Sequence, residues 1–319
     1  MRRRRARHLL LPAAFLALVP GVSAQGDEVI EGALFLLLPV GARAVSLGRA
    51  MAWVEGAEGV FWNPAGLVGV DRRQAVIFRS DNVVGTTYAL SFLQSRPGVG
   101  TIGVTYFLLD AGRFQRTDGS GNPIGSTTIR NHVGVLSGAT RLFDGLSAGL
   151  NFKVIRYQES CRGICPDEGT TATTYAIDAG LQALPSERLR LGAMVAHLGP
   201  RLQADPLPAR IRVAGAYDIL DVLTDADELH GWLAVEVEGR LRQLASRSVY
   251  LGAEVIAGSV DALSLRAGYV WSELDAEDGA RVGLGLRYEQ FDLSIAKALS
   301  ISPLTGESEP VHVTMAIAF

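Results

Sequence analysis

Several residue groups have the types and spacing of known chemistries. Gly98-Val99-Gly100-Thr101-Ile102-Gly103 fits GxGxxG, the loop that lets a pyrophosphate approach a helix N-terminus. That site needs a helix after it, whereas here Val104 to Leu109 (VTYFLL) continues as a strand-type run, so dinucleotide binding is disfavoured. Gly145-Leu146-Ser147-Ala148-Gly149 fits the GxSxG nucleophile elbow. The elbow requires a strained strand-to-helix turn, but apolar alternation runs straight through this one, and Ser147 reads better as a lumenal or rim serine.

Two acidic clusters, Asp225, Asp227 and Glu228 with His230, and Glu273, Asp275, Glu277 and Asp278, lack the spacing of a calcium loop and read as solvated turns. His132, His197 and His312 fall in different runs, so no trio of nucleophile, base and orienting group can be assembled from the sequence. Cys161 and Cys165 are the only cysteines. In an exported chain they are expected to form a disulfide closing a very small ring, with a free or cargo-reactive thiol pair as the minor alternative; a metal site would want more thiols or a nearby His. The expectation is a non-enzymatic protein with no cofactor and no metal.

What positions these residues begins with an address. Arg2 to Arg5 and Arg7 form a basic region, Leu9 to Val19 a short apolar one, and Val22-Ser23-Ala24 a small-residue cleavage site. Residues 1–24 therefore read as a secretory signal peptide, the apolar run being too short to span a bilayer as a helix. Removing its five arginines leaves 25 basic against 33 acidic residues, a net charge of -8, which disfavours nucleic acid as a partner.

From Gln74 onward apolar residues alternate with small or polar ones, the period of a strand with one apolar face. Leu146, Ala148, Leu150, Phe152 and Val154 share a face opposite Ser147, Gly149, Asn151 and Lys153. Leu263, Leu265, Ala267, Tyr269 and Trp271 oppose Ser264, Arg266 and Gly268. About fourteen such runs begin near Gln74, Thr86, Gly98, Thr127, Leu146, Thr171, Leu189, Ala209, His230, Ser248, Leu263, Arg281, Phe291 and Val311. Each is near the length a tilted strand needs to cross an outer membrane.

The links alternate long and short. Ala111 to Ser126, Gln158 to Thr170, Gly199 to Pro208 and Ser300 to Pro310 are long, whereas Phe143 to Gly145, Pro185 to Glu187 and Glu289-Gln290 are tight. Ile219 to Leu229 is long where a short link belongs. Long loops at one rim and short turns at the other describe an outer-membrane barrel. A soluble sandwich also alternates, but the polar faces here are unusually rich in Gly and Ser, and Met315, Ile317 and Phe319 close an alternating strand on a terminal aromatic of the kind barrel-assembly machinery reads. Against the barrel, 7% aromatic residues leave only thin interfacial girdles. The predicted fold is an all-β transmembrane barrel of about 14 antiparallel strands (residues 74–319), preceded by a short helical hatch (residues 25–73), in an outer membrane of the Gram-negative type.

The hatch does not alternate. Ala44, Leu47, Met51 and Val54 fall on one helical stripe of Ala44 to Val54, followed by a Gly-containing turn and Phe61-Trp62-Asn63-Pro64. Pro64 pushes Asn63 out of the helical region and frees its side chain for local backbone groups. The segment fits either a plug inside the barrel or a periplasmic cap on its rim.

The block Gly41 to Leu67 resembles the N-terminal signature of the PorV/PorQ proteins, barrels of the wider FadL-like group. The matching positions are Gly41-Ala42-Arg43, Leu47-Gly48, Ala50 and Trp62-Asn63-Pro64-Ala65-Gly66-Leu67; Arg49 departs from the pattern, which often has Gly there. The resemblance implies fourteen strands, a hatch lined by Gly41, Arg43, Gly48, Phe61, Trp62, Asn63, Pro64 and Gly66, and no catalytic residues. It also implies a role in protein secretion of the type IX kind, with secreted cargo or secretion components as partners beside outer-membrane lipid. The alternative is a FadL-like channel for hydrophobic small molecules, in which Phe61 and Trp62 line a lumenal pocket.

Overall fold

In each run one face is large and apolar and the other small or polar, so the apolar face needs a cover. Closing the sheet on itself leaves that face to lipid and removes every unpaired edge. The computed structural model describes residues 30–82, 84–165, 169–223, 228–272, 278–300 and 311–319. It is a closed antiparallel barrel of fourteen strands, each paired with its chain neighbours and β1 with β14. The strands are β1 (Gln74–Asn82), β2 (Gly85–Arg96), β3 (Gly100–Thr117), β4 (Pro123–Phe143), β5 (Leu146–Gly163), β6 (Gly169–Ser186), β7 (Leu189–Leu198), β8 (Arg210–Asp218), β9 (Leu229–Arg240), β10 (Gln243–Ala257), β11 (Ala262–Trp271), β12 (Gly279–Tyr288), β13 (Phe291–Ala298) and β14 (Val311–Ala318). Every expected strand is present, its start displaced by at most five residues. The signal segment, Asp225, Asp227, Glu273, Asp275, Glu277 and residues 301–310 lie outside the described residues.

The two faces are inverted relative to a soluble protein. On β5 Leu150 is 60% exposed and Phe152 47%, whereas Asn151 is 1% and Lys153 4% exposed. The same holds on β11, where Leu263 and Leu265 face out and Ser264 faces in, and on β14, where Met315 faces out and His312 and Thr314 face in. Among the described residues no helix is long and apolar enough to cross a membrane; the strands make the crossing.

Two expected loops are corrected. The link Ala111 to Ser126 shrinks to residues 118–122, because β3 and β4 keep pairing past a bulge after Asp110 up to Thr117 and Pro123. Its turn is closed by the Asp118 carboxylate, which accepts from the backbone of Ser120 and Asn122 at 2.9 and 2.8 Å. The link Gln158 to Thr170 is likewise mostly ladder, with Gln158 paired to Thr171 and Ser160 to Gly169. These stretches are rich in Gly, Ser, Thr and charge because they have no lipid to face, and so resemble loops in composition. Gly199 to Pro208 is a true loop that folds inward and buries Leu202 and Leu207. The unexpectedly long Ile219 to Leu229 carries a one-turn helix, Leu220–Leu223, at the short-turn rim.

The lipid face gives a direct test. Leu150→Arg places a charge in the middle of the outward face and is expected to destabilise the barrel by about 2–4 kcal/mol. Reversible denaturant unfolding in liposomes should show this loss; an unchanged midpoint would mean that Leu150 does not face hydrocarbon.

A plugged lumen with a small apolar pocket

The hatch is built from short turns with little regular structure. Leu34–Leu37 forms one 3-10 turn, Ala42–Ser46 the five-residue helix α1, Gly59–Trp62 the single-turn helix α2, and Pro64–Gly69 a second 3-10 turn. The expected helix over Ala44 to Val54 is therefore corrected: it stops at Ser46, and the chain turns at Gly48 and Arg49, both left-handed with φ of 59° and 69°. The apolar stripe is real but not one-sided. Ala44, Leu47, Met51 and Val54 are buried, and so are Val45, Ser46, Ala50 and Trp53 between them. Arg49 occupies the position where the resembled pattern often has Gly, and its side chain is buried. The conformation accounts for that glycine, since a non-glycine residue there costs roughly 1 kcal/mol. Gly41 also has a positive φ, 102°, and a side chain there would run into the Glu58 carboxylate.

Asn63 behaves as the following proline dictates. Its backbone is extended (φ -157°, ψ 108°) and its side chain caps the next turn, Oδ1 accepting from Ala65 N–H at 3.1 Å. Its Nδ2 donates to the carbonyls of Ala52 at 2.6 Å and Leu181 at 3.1 Å, tying two parts of the hatch to β6.

The segment lies within the barrel and does not cap its rim. Glycines of six strands, Gly149, Gly180, Gly192, Gly252, Gly268 and Gly283, touch it so closely that a Cβ on any of them would come within 3.0 Å of a hatch atom. The Gly-rich polar faces noted in the sequence are thus the surface against which the hatch is seated. Wall side chains satisfy its irregular backbone. Glu236 accepts from Met51 and Ala52 N–H, both at 2.7 Å; Gln182 donates to the carbonyls of Ala52 and Val54, both at 2.9 Å; Asn151 donates to the Val60 carbonyl at 2.8 Å. Thr314 accepts from Ala42 N–H at 2.8 Å. Arg43 reaches Glu254 at 2.5 Å, and Arg266 holds the other oxygen of that carboxylate at 2.6 Å.

The inner wall has two characters. From β1 to β5 it carries an apolar cluster, with Val76, Phe78, Leu93, Phe107, Val133 and Ile155 buried together. From β8 to β12 it is ionic, with Arg210, Arg212, Glu236, Glu238, Glu254 and Arg281 buried and Arg266 paired to Glu254. Phe61 and Trp62 straddle the divide. Phe61 packs edge-on against Phe78 with centroids 5.4 Å apart, while the Arg212 guanidinium lies 4.7 Å from the Trp62 ring and Trp62 Nε1 donates to the Val40 carbonyl.

A pocket opens at this junction. Phe35, Leu36, Leu38, Phe61, Phe107, Val133 and Val135 form its apolar side, and Lys153, His197 and Arg212 its polar end. Its volume is about 40 Å³, room for one or two waters. An aromatic hydrocarbon needs a cavity nearer about 150 Å³. The Leu34–Leu37 turn, which lines the apolar side, contains no fully buried residue.

Sequence reasoning missed the cluster at the polar end. Lys153 pairs with Asp178 at 2.6 Å; Asn151 donates to that carboxylate at 2.9 Å, and the backbone of His197 donates to it at 2.9 Å. Asn151 and Lys153 were legible as polar-face residues, but only the β5–β6 register, with Asn151 opposite Asp178, brings them together. His197 enters the lumen because β7 bulges there, with a φ of 60°. The remaining expected residues lie apart from the pocket. Pro64 and Gly66 lie in the second 3-10 turn, Gly66 against the Val54 carbonyl. Cys161 and Cys165 are joined by a disulfide at the far tip of β5. Met315 and Phe319 face outward at the seam, and Phe319 lies 6.2 Å from Phe92; Ile317 pairs with Ala75.

No protein-family model matches the chain, and no curated protein is detectably similar in sequence. Solved structures are similar in fold. The toluene transporter TbuX of Ralstonia pickettii superposes with a TM-score of 0.58 at 11% identity, covering 88% of this chain and 98% of its own. The toluene transporter TodX of Pseudomonas putida gives 0.57 at 12% identity over 90% and 97%. A FadL homologue of Pseudomonas aeruginosa gives 0.52 at 11% over 88% and 98%. The chain thus has the architecture of the FadL-type outer-membrane barrels. None of these structures is a PorV or PorQ protein, so the finer resemblance of the Gly41 to Leu67 block finds no counterpart among them.

Two predictions follow from the seating of the hatch. Gly180→Val drives a side chain into Asn63 and is expected to unseat the hatch while the wall still closes. Limited proteolysis should then cut between residues 41 and 70 and pore conductance should rise, with no change in the heat-dependent gel mobility of the barrel. Burial pushes the Glu58 carboxyl up to about 7, against the opposing pull of Arg43 and Arg266. The seated hatch holds this proton more tightly than a free chain does, so seating is strongest below about pH 4.5 and weakens as pH rises through about 7. Hydrogen exchange of hatch amides, corrected for intrinsic rates, should be faster at pH 8.5 than at pH 5, and Glu58→Gln should reduce that difference.

Proposed function

We propose that this protein is an outer-membrane channel for small hydrophobic molecules, gated by its hatch. The observation that carries the reading is the pocket at the hatch–wall junction, where apolar side chains from both sides converge. Two of the similar barrels are toluene transporters by name, which supports an apolar, aromatic-sized solute class without naming the solute. In this reading residues 1–24 are the export signal, residues 25–73 the hatch and residues 74–319 the wall. Gly41, Arg43, Gly48, Asn63, Pro64 and Gly66 hold the hatch in register, Phe61 and Trp62 present the pocket, and the Leu34–Leu37 turn withdraws to enlarge it. The secretion role implied by the Gly41 to Leu67 block has no supporting feature in the lumen.

The test is saturable binding of toluene to the barrel in nanodiscs, read by tryptophan fluorescence. Val135→Trp fills the pocket from the wall and is expected to weaken binding at least about tenfold, with the barrel still assembled. Absence of saturable binding by toluene or by a medium-chain fatty acid would overturn the proposal. So would a secretion defect, with unchanged hydrocarbon uptake, when residues 111–126 or 158–170 are deleted.

A further inference from the structure

The outer surface of the long β3–β5 ladders carries a feature that the channel does not use. Paired residues in an antiparallel sheet point the same way, so the register fixes the face. Tyr106 pairs with Gly134 and Gly134 with Val154, and exposed Tyr106 and Val154 mark this as the lipid side. Moving away from the short-turn rim, the next row on that face holds Leu108, His132 and Arg156; then come Asp110, Arg130 and Gln158; then Arg113, Thr128 and Ser160; then Gln115, Ser126 and Arg162. Hydrocarbon-facing residues give way to arginines within a single step, from Val154 to Arg156.

The change falls where the bilayer ends. From Leu146, the first residue of β5 on this face, to Arg156 the strand advances about 33 Å, or about 25 Å along the membrane normal at a tilt near 40°, which matches an apolar band of about 25 Å. The arginines therefore stand at headgroup height, above the tyrosines Tyr106 and Tyr175 that edge the band. This face holds four arginines and one carboxylate, Asp110, which pairs with Arg130 at 3.0 Å. Among the described residues, no carboxylate pairs with Arg113, Arg156 or Arg162. Arg113, Arg130 and Arg162 converge with Thr128, Gln158 and Ser160 on a groove of about 300 Å³. Guanidinium forks with neutral hydroxyl and amide donors between them match the oxygens of a phosphate.

We propose that this groove binds a phosphorylated headgroup of a lipid in the adjoining leaflet, Arg113, Arg130 and Arg162 holding the phosphate while its acyl chains lie against Phe152, Val154 and Tyr175. The occupant is a lipid and not a soluble anion because the groove opens sideways over the hydrocarbon face. The site is independent of whether the lumen conducts.

Native mass spectrometry of the purified full-length barrel tests this with bis-phosphorylated lipid A and its dephosphorylated form as probes. The wild type is expected to retain the phosphorylated lipid at least about tenfold better than the dephosphorylated one, and the combined Arg113→Gln, Arg130→Gln, Arg162→Gln variant to lose that preference. Should the triple variant fail to assemble, Arg113→Glu, a single change at an exposed residue, is expected to show the same loss in part. Equal retention of the two lipids by the wild type, or an unchanged preference in the assembled variants, overturns the proposal. Displacement of lipid A by inorganic phosphate at comparable affinity overturns the lipid assignment in favour of a free anion.

Discussion

An irregular backbone at membrane depth must find every hydrogen-bond partner inside the protein. That constraint organises this molecule. The hatch has short turns, left-handed residues and few internal ladders, so its N–H and C=O groups turn to the wall. Glu236, Gln182, Asn151 and Thr314 each meet one or two of them. Such contacts need the hatch close to the strands, and the wall glycines provide the clearance. The composition of the inner face is therefore set by the backbone it surrounds rather than by water.

The division of the lumen follows from the same packing. Where the hatch presents its own apolar side chains, around Phe61 and Leu67, the wall answers with Phe78, Phe107 and Val133. Where it presents bare amides and Arg43, the wall answers with carboxylates that are themselves held by arginines. The pocket lies where these two regimes meet and neither fills the space completely.

Much of the wall could be read from period two alone. Alternation in Leu146 to Val154 and in Leu263 to Trp271 gave the correct faces, because one side of each of these stretches meets lipid throughout. The hatch was less legible for the opposite reason. A segment buried on all sides has no polar stripe to set its phase, so the apolar spacing of Ala44 to Val54 suggested a helix that Gly48 and Arg49 interrupt. The ladders beyond Asp110 and Gln158 were hidden because strands outside the bilayer lose their apolar face and keep only their pairing. Lys153, Asp178 and His197 meet through register and a bulge, neither of which leaves a mark in local sequence.

The closing strand has a consequence for assembly. Thr314 of β14 accepts from Ala42 in the hatch, while its own backbone neighbours complete the cylinder against β1, Phe78 lying opposite Thr314. Sealing the wall and stowing the plug thus draw on the same strand. A barrel zipped around a vacant bore forgoes part of the grip at its seam, and so occupancy of the interior favours the circular form over the open ribbon.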